Sequence, residues 1–389
     1  MNRRKVAILG STGSIGTQAL SVIDAHSDKF DVVALAAGSN TRKLLRQANK
    51  FDVPMVSVAS DNSTDPIKDQ MEYKGEVLSG ADGLCACASE SGADIVLIAT
   101  TGQAGFAPTV SAIRSGIDIA LASKELLVMG GSIIIGMAND NDVSVFPVDS
   151  EHSAIWQCMH GEVIEDVHRV ILTASGGPFR QYSIEQLRDV SPGEALRHPN
   201  WDMGPKISID SATLMNKAIE VIEAHWLFGV PFENIDVVIH PQSIVHSFVN
   251  FKDGSIKAQL GEPDMRVPIA YALSYPDRLD ASSKLVDFGQ LIIDHDITFE
   301  RPDADRFPLL DIGIRAGRKG GNLPATLCGA DDAAVELFLS GLISYSEIAK
   351  LIRATIDQTA FTPLNSLDQI TDWYVAGYES AKELTKDGW

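Results

Sequence analysis

A pair of acidic residues has the type and spacing of a divalent-metal site. Asp149 and Glu151 lie two residues apart at the end of an apolar run, within the segment PVDSEH. In an extended segment residues i and i+2 point the same way, so we expect the two carboxylates to converge. Converging carboxylates suit a hard cation such as Mg²⁺ or Mn²⁺. A solvated acidic turn fits the same residues, and the pair alone leaves both interpretations open.

A helix predicted to run from the segment 207–213 to about residue 228 offers further polar groups. Its apolar face comprises Leu214, Ala218, Val221, Ile222 and His225. The opposite arc carries Asn216, Lys217, Glu220 and Glu223. Ser211 lies near the helix start, where anions bind. This arc can supply phosphate donors and a third metal ligand, or it is an ordinary solvent-facing surface.

Two loops also have candidate roles. Ser175 opens the small-residue turn SGGPF after an apolar strand at 170–172, and that turn either cradles a phosphate or is only a tight turn. The irregular segment HPNWDMG carries His198 and Trp201. A Trp in a mobile loop is typical of a lid that excludes water, although a half-buried Trp in an ordinary loop gives the same pattern.

The glycine-rich segment GSTGSIG, residues 10–16, follows the first predicted strand and opens the first helix. Such a turn lets the backbone approach a pyrophosphate at a helix N-terminus. Its spacing is GxxGxxG rather than GxGxxG, and an ordinary strand-to-helix turn is the alternative. The second strand ends at Ala37 without a carboxylate, and Arg42 and Lys43 follow. This favours NADPH over NADH, because an NAD site usually carries an acidic residue there.

Predicted strands and helices, which must position these residues, alternate in the first 150 positions. Apolar runs at 6–9, 32–37, 55–58, 95–99, 117–120 and 143–146 predict buried strands, and helical segments such as 17–25 and 41–49 separate them. This pattern predicts an α/β fold with a doubly wound, Rossmann-like parallel sheet. The polar stretch 61–74 is predicted to be an excursion within this domain.

The rest of the chain has a different pattern. A hairpin is predicted at 248–251 and 256–260 around Asp253-Gly254, helices at 331–339 and 345–355, and a loop at 318–324. We therefore expect three domains: an NADPH-binding domain (1–148), a central α+β catalytic domain with the metal site, the substrate site and the lid (149–300), and a C-terminal helical domain (301–389).

Bulk composition restricts the partners. The formal net charge of the 389-residue chain is −20, which disfavours nucleic acid and anionic membranes and requires any anion site to be built locally. No apolar stretch approaches a membrane span, and no signal or transit segment is apparent, so we expect a bacterial cytoplasmic protein. The four cysteines are expected to be reduced thiols.

Several motifs, taken in order, resemble one family. GSTGSIG, SKE, PVDSEH, SGGPF, HPNWDMG, DSATLMNKAIE, IHPQSIVHS and EPDMR are similar to the motifs of 1-deoxy-D-xylulose 5-phosphate reductoisomerases. That resemblance implies NADPH- and metal-dependent isomerisation and reduction of 1-deoxy-D-xylulose 5-phosphate to 2-C-methyl-D-erythritol 4-phosphate, a precursor of isoprenoids. Rearrangement by retro-aldol cleavage and recombination is favoured, and a one-step α-ketol shift stays open. A homodimer is also implied.

The resemblance assigns roles to individual residues. Asp149, Glu151 and Glu220 would hold Mg²⁺ or Mn²⁺, with Co²⁺ as a further option. The substrate phosphate would be bound by Ser175, His198, Ser211, Asn216 and Lys217. The NADPH contacts would come from Thr12, Gly13, Ser14, Ile15, Gly38, Ser39, Asn40, Ser123, Glu125 and Gly204. Lys124 and Ser150 would touch the reacting oxygens, Trp201 would cover the carbon chain, and His246 and Met265 would line the pocket.

The chain departs from the usual family pattern in four places. Ser123 replaces an Asn, Ser39 stands where a basic residue is common, and Pro205 replaces an Arg. The segment 328–332, CGADD, replaces Asn-Ala-Ala-Asn-Glu, which bears on local helix packing. The competing interpretations are another NADP-linked dehydrogenase, such as a homoserine-type enzyme, and a non-catalytic NADPH-binding regulator. A zinc site at His240 and His246 is a weaker alternative, because no cysteine accompanies the two histidines.

Overall fold

A computed structural model describes residues 3–59, 73–197, 203–281 and 296–386, together with the single positions 289 and 293. The chain forms two compact units. Unit 1 comprises 1–126, 134–153 and 264–285, and unit 2 comprises 127–133, 154–263 and 286–389. The predicted excursion at 61–74 lies almost entirely outside the described residues.

Unit 1 contains a seven-stranded parallel sheet in the order β4-β3-β2-β1-β5-β6-β7. Its strands are β1 (Arg4–Leu9), β2 (Phe30–Ala37), β3 (Met55–Val58), β4 (Glu76–Ser79), β5 (Ile95–Ile98), β6 (Asp118–Leu121) and β7 (Val145–Pro147). The central strands β1, β2 and β5 end in four consecutive buried apolar residues, since both faces of the sheet are covered there. The predicted doubly wound sheet is confirmed. The short strand β4 was not predicted.

The helices of this part of the chain alternate with the strands. They are α1 (Ser14–Ala25), α2 (Thr41–Lys50), α3 (Gly80–Ser89), α4 (Phe106–Arg114) and α5 (Glu125–Asp140), with α11 (Arg266–Ser274) returning from much later in the chain. Helix α11 buries Ile269, Ala272 and Leu273 in the same apolar core as β1 and β2. The core of the parallel-sheet unit is thus completed by a helix that is distant in sequence.

Unit 2 contains a mixed four-stranded sheet in the order β11-β10-β8-β9. Its strands are β8 (Val167–Ala174), β9 (Ile235–Ile239), β10 (Val245–Phe251) and β11 (Ile256–Leu260). The predicted hairpin is confirmed: β10 and β11 pair antiparallel, and Gly254 adopts a φ of +86° in the turn. Strand β11 lies at the edge of the sheet.

The helices beside and after this sheet form the rest of unit 2. They are α6 (Ser150–Met159, beginning in unit 1), α7 (Ile184–Arg188), α8 (Pro192–Ala195), α9 (Pro205–Thr213), α10 (Met215–Phe228), α12 (Leu309–Lys319), α13 (Leu323–Leu339), α14 (Tyr345–Gln358) and α15 (Leu367–Lys386). Helices α13 and α15 pack closely, because a Cβ at Gly329 would lie 1.9 Å from the Tyr374 carbonyl oxygen. Across the residues that the structure describes, no helix is both long and apolar enough to span a bilayer.

One predicted helix is divided, and one predicted loop is shorter than expected. The helix predicted to run from the segment 207–213 to about residue 228 ends at Phe228, but Leu214, whose φ of 62° is left-handed, divides it. The Thr213 hydroxyl accepts a hydrogen bond from the Met215 N–H at this break, so a side chain replaces the helical partner. The loop expected at 318–324 shrinks to three residues, because α12 ends at Lys319 and α13 begins at Leu323.

Candidate functional site

The glycine-rich turn has the geometry of a phosphate cradle. Gly10 has a φ of +94°, and a Cβ there would lie 2.2 Å from the Ala99 carbonyl oxygen. A Cβ on Gly16 would lie 2.3 Å from the Gly10 carbonyl oxygen, so only glycine permits α1 to approach the turn. Gly13 is the N-cap of α1, which places Thr12, Ser14 and Ile15 at the positive end of the helix. The turn follows β1, beside the point where the strand order reverses.

The start of α2 faces the same turn. The Asn40 side chain caps α2 by accepting from the Lys43 N–H at 3.2 Å. The Lys43 ammonium donates to the Thr12 carbonyl at 2.8 Å and to the Thr17 hydroxyl at 2.9 Å. Gly38, Ser39 and Arg42 are exposed. The described residues that follow β2 therefore include two cations and no carboxylate at this edge of the sheet.

The segment after β6 supplies a buried cation. The Ser123 hydroxyl donates to the Thr100 carbonyl at 2.5 Å, which ties the end of β6 to the end of β5. Lys124 is only 7% exposed, and its ammonium forms an ion pair with Asp149. Glu125 begins α5. Burial beside a carboxylate fixes the Lys124 ammonium in one position.

The acidic pair is arranged differently from the prediction. Asp149 and Glu151 are not in an extended segment, because α6 begins at Ser150 and continues to Met159. The Ser150 hydroxyl donates to the Glu151 carboxylate. Nonetheless one carboxylate oxygen each from Asp149, Glu151 and Glu220 lie within 4.8 Å of one another. Three carboxylates at this separation are a ligand set for a hard divalent cation.

The polar arc of α10 is buried, so the alternative of a solvent-facing surface is wrong. Lys217 and Glu220 are 3% and 1% exposed. Glu220 accepts from the Asn216 amide at 2.6 Å and pairs with the Lys217 ammonium. These contacts fix the position of the Glu220 carboxylate, as the neighbours of a metal-ligating side chain do.

The turn that begins at Ser175 approaches the Ser211 backbone at Gly177. Gly176 and Gly177, which follow Ser175, have φ values of +84° and +68°. A Cβ on Gly177 would lie 2.6 Å from the Ser211 carbonyl oxygen. Gly204 is the N-cap of α9, the helix that carries Ser211. His198 and Trp201 lie outside the described residues.

Sequence reasoning missed two acid–base groups. His152 and Glu223 are both 0% exposed, and with Asp149 they form a second group whose candidate ligand atoms lie within 4.8 Å of one another. His152 follows Asp149 by three residues, a spacing that becomes informative only once the segment is known to be helical. Of these two, His152 has its Nδ1 atom 3.9 Å from the Asp149 carboxylate.

Two other groups have structural roles. The His240 ring makes hydrogen bonds through both nitrogens, to the Thr298 carbonyl at 2.9 Å and from the Ile244 N–H at 3.1 Å, which leaves neither nitrogen for zinc. Burial raises the pKa of the Cys158 thiol to about 11, so it is protonated near neutral pH. Cys85, Cys87, Cys158 and Cys328 are all free in the structure.

This fold and this site define a class: a dinucleotide-binding α/β enzyme with a carboxylate site for a divalent cation. Family models for 1-deoxy-D-xylulose 5-phosphate reductoisomerase match residues 6–131, and models for its C-terminal domains match 145–228 and 260–376. The chain belongs to the 1-deoxy-D-xylulose 5-phosphate reductoisomerase family, which confirms the resemblance seen in the motifs.

Individual relatives match over nearly the whole chain. The 1-deoxy-D-xylulose 5-phosphate reductoisomerase of Trichlorobacter lovleyi is 46% identical over 382 residues, covering 98% of this chain and 97% of the relative. That of Chlorobaculum tepidum is 47% identical, covering 98% and 99%. The solved Zymomonas mobilis enzyme in complex with NADPH has a TM-score of 0.92 at 38% identity, covering 99% and 100%. A reductoisomerase in complex with NADPH, fosmidomycin and magnesium has a TM-score of 0.91 at 37% identity, covering 98% of both chains.

Proposed function

We propose that this chain converts 1-deoxy-D-xylulose 5-phosphate to 2-C-methyl-D-erythritol 4-phosphate, with NADPH as reductant and a divalent cation as cofactor. The observation that carries the proposal is the grouping of Asp149 and Glu151 with Glu220, which lies far along the chain on α10, with oxygens within 4.8 Å of one another. Such a group can hold a cation that stabilises the charge developing on substrate oxygens as the carbon skeleton rearranges.

The metal assignment follows from the donors. Three carboxylates are hard oxygen ligands, which favours Mg²⁺ or Mn²⁺ and leaves Co²⁺ as an alternative. When bound, the cation stabilises negative charge on the substrate oxygens during rearrangement. Lys217 and Asn216 keep the Glu220 carboxylate oriented, and Lys124 does the same for Asp149. The protein thus presents ligands whose positions are fixed in advance by other side chains.

The dinucleotide is assigned to the glycine-rich turn and its neighbours. Thr12 to Ile15 offer backbone N–H groups to the pyrophosphate, and Gly38 to Asn40 surround the adenosine end. Ser123, Glu125 and Gly204 are assigned to the nicotinamide side. NADPH supplies the hydride when bound. The structure supports this placement through the cradle at Gly10 and Gly16 and the missing carboxylate after β2.

The substrate phosphate is assigned to Ser175, Ser211, Asn216 and Lys217, with His198. Binding energy from a phosphate remote from the reacting carbons can orient those carbons without changing the chemical step. The buried ammonium of Lys217 supplies the positive charge that a chain of net charge −20 does not offer over its surface. Lys124 and Ser150 are assigned to donate hydrogen bonds to the reacting oxygens, and Trp201 is assigned to cover the carbon chain.

The test is NADPH oxidation with 1-deoxy-D-xylulose 5-phosphate, with and without EDTA, for wild type and Glu220→Gln. We expect turnover that EDTA abolishes and that fosmidomycin inhibits, and a fall of about a hundredfold or more in kcat for the variant, which loses a metal ligand. NADPH binding, followed by fluorescence, should not change. Glu300→Gln is the matched control, because it removes a carboxylate that pairs only with Arg180 among described residues.

Product analysis separates this function from that of a simple dehydrogenase. Rearrangement leaves the product methyl group on a carbon without hydrogen, which gives a singlet in the proton NMR spectrum. Direct reduction of the ketone would leave it on a carbon bearing hydrogen, which gives a doublet. A doublet product, or turnover indifferent to EDTA, would refute the proposal.

Assembly and location are further parts of the proposal. We propose a homodimer in the bacterial cytoplasm, paired through β11, whose outer edge has no described partner strand and whose Ile256 is 58% exposed. Sedimentation should show a dimer for wild type and a shift towards monomer for Ile256→Lys. We also keep the division into domains 1–148, 149–300 and 301–389 as a functional one.

A further inference from the structure

A buried charge cluster lies outside the residues assigned to metal, cofactor and substrate. The Lys206 ammonium on α9 contacts Asp210 one turn later at 2.5 Å and also Asp331 on α13. Asp332 lies 3.4 Å from the same ammonium and accepts from the Tyr374 hydroxyl on α15. Three carboxylates from two helices therefore face one ammonium.

Two of these carboxylates, on Asp210 and Asp331, are buried with the single Lys206 ammonium, and the charges of these three groups balance only if the pair of carboxylates retains a proton. Asp210 and Asp331 are 3% and 1% exposed, and each has a second carboxylate oxygen that is buried without a hydrogen-bond partner. Burial, and then the neighbouring Asp331 carboxylate, raise the pKa of Asp210 well above its ordinary value. A protonated Asp210 can donate to Asp331, which leaves Lys206 and Asp331 as a balanced ion pair.

The cluster adjoins the proposed phosphate site along α9. Asp210 directly precedes Ser211 on α9. The Ser211 carbonyl is the atom that a Cβ on Gly177 would approach to 2.6 Å, so the turn after Ser175 rests on this part of α9. The next residue, Ala212, accepts at 2.6 Å from the Tyr345 hydroxyl on α14. The position of Ser211 is therefore set by how α9 is held against the C-terminal helices.

We propose that Lys206, Asp210 and Asp331 are positioning residues that hold Ser211 in place for the substrate phosphate. This inference rests on the proposed function, in which Ser211 binds that phosphate. None of the three residues touches the substrate. Their effect is on binding of the phosphorylated substrate rather than on the metal or the dinucleotide.

The shared proton gives the cluster a pH dependence of defined sign. As the pH rises through the raised pKa of Asp210, the proton is lost and two adjacent carboxylates repel across α9 and α13. The groups that face Asp210 are Lys206, Asp331 and Asp332, with the Tyr374 hydroxyl behind Asp332. Stability contributed by the protonated form is thus present at low pH and lost towards alkaline pH. The KM for the substrate should rise over the same range.

The experiment compares three variants of the whole enzyme, assayed with metal and NADPH over a series of pH values. Lys206→Met should raise the KM for 1-deoxy-D-xylulose 5-phosphate about tenfold, the equivalent of one weakened charge-assisted hydrogen bond, with little change in the KM for NADPH. Asp331→Asn should keep the KM measured at the acidic end of the series and lose its rise with pH, because an amide donates to Asp210 without a shared proton. Lys382→Met, which breaks the Lys382–Glu336 pair between α15 and α13, is the matched control and should leave both KM values unchanged.

Two results would overturn the inference. One is a Lys206→Met enzyme with lowered thermal stability and an unchanged KM for the substrate, which would make the cluster purely structural. The other is an Asp331→Asn enzyme whose KM for the substrate still rises with pH. Ser211→Ala distinguishes failure of the underlying function: if it leaves the KM for the substrate unchanged, the phosphate assignment itself is wrong.

Discussion

At the scale of single residues, the two cations at the start of α2 have different tasks. Lys43 directs its ammonium back to the glycine-rich turn, to Thr12 and Thr17. Arg42, one residue earlier, is exposed. Since Ser39 stands where a cation is common in the family, Arg42 is the group available to a ribose 2′-phosphate. Lys43 instead joins α2 to the turn that both forms of the dinucleotide would use.

This difference predicts opposite behaviour of two neighbouring variants. Arg42→Ala should raise the KM for NADPH by about 10- to 100-fold, because one or more hydrogen bonds to the charged 2′-phosphate are lost. The KM for NADH should not change. Lys43→Met should raise both, because it loosens the turn itself. Steady-state kinetics with each dinucleotide measures the two effects. Equal discrimination between NADPH and NADH in Arg42→Ala and wild type would show that the 2′-phosphate is bound elsewhere.

At the scale of elements, the contact between the Ser175 turn and α9 depends on the missing side chain of Gly177. A Cβ there would lie 2.6 Å from the Ser211 carbonyl oxygen, and the φ of +68° is unfavourable for other residues. Gly177→Ala should therefore separate the turn from α9, raise the KM for the phosphorylated substrate and lower the free energy of unfolding by more than about 1 kcal/mol.

Gly161 provides the matched control for this prediction. It also has a positive φ, +81°, yet a Cβ there would meet nothing within 4 Å. Gly161→Ala should lower stability by the backbone strain alone, about 1 kcal/mol, and leave the KM unchanged. Chemical denaturation and steady-state kinetics on both variants check this. Identical effects of the two substitutions would mean that the close approach to Ser211 has no role in binding.

The same scale shows what could be read from the sequence. The strands at 55–58 and 256–260 were predicted to the residue, because apolar runs and an Asp-Gly turn are local signals. The break at Leu214 and the helical start at Ser150 were not, since both depend on contacts made after folding. The acidic pair was identified although its predicted geometry was wrong. Two carboxylates are recognisable as metal ligands from their residue types alone. The burial of Lys217 and Glu220 depends instead on tertiary packing, which local sequence does not determine.

At the scale of the whole molecule, a net charge of −20 opposes the binding of every anion that the proposed reaction uses. Cations that counter this field are partly removed from solvent: Lys217 and Lys124 are 3% and 7% exposed. Ammonium groups shielded from water are screened little by salt and keep their attraction for a phosphate or a carboxylate. The chain therefore keeps two ammonium groups buried beside carboxylates of the proposed site, while its net charge stays strongly negative.

The negative field should, by contrast, assist binding of a divalent cation at the three carboxylates, and this can be measured without turnover. At constant ionic strength, Mg²⁺ at about a hundred times its Kd should stabilise the folded enzyme by about 2.7 kcal/mol, because a ligand that binds only the native state adds RT ln(1 + [L]/Kd). Differential scanning calorimetry should show a rise in Tm of a few degrees for a chain of this size.

Replacing Mg²⁺ with KCl of equal ionic strength separates site binding from general screening of the acidic surface. Glu220→Gln should lose most of the Mg²⁺-dependent rise and keep the KCl response, whereas Glu300→Gln should keep both. If wild type and Glu220→Gln gained the same stability from Mg²⁺, the cation would be acting on the surface charge, and Asp149, Glu151 and Glu220 would not form its binding site.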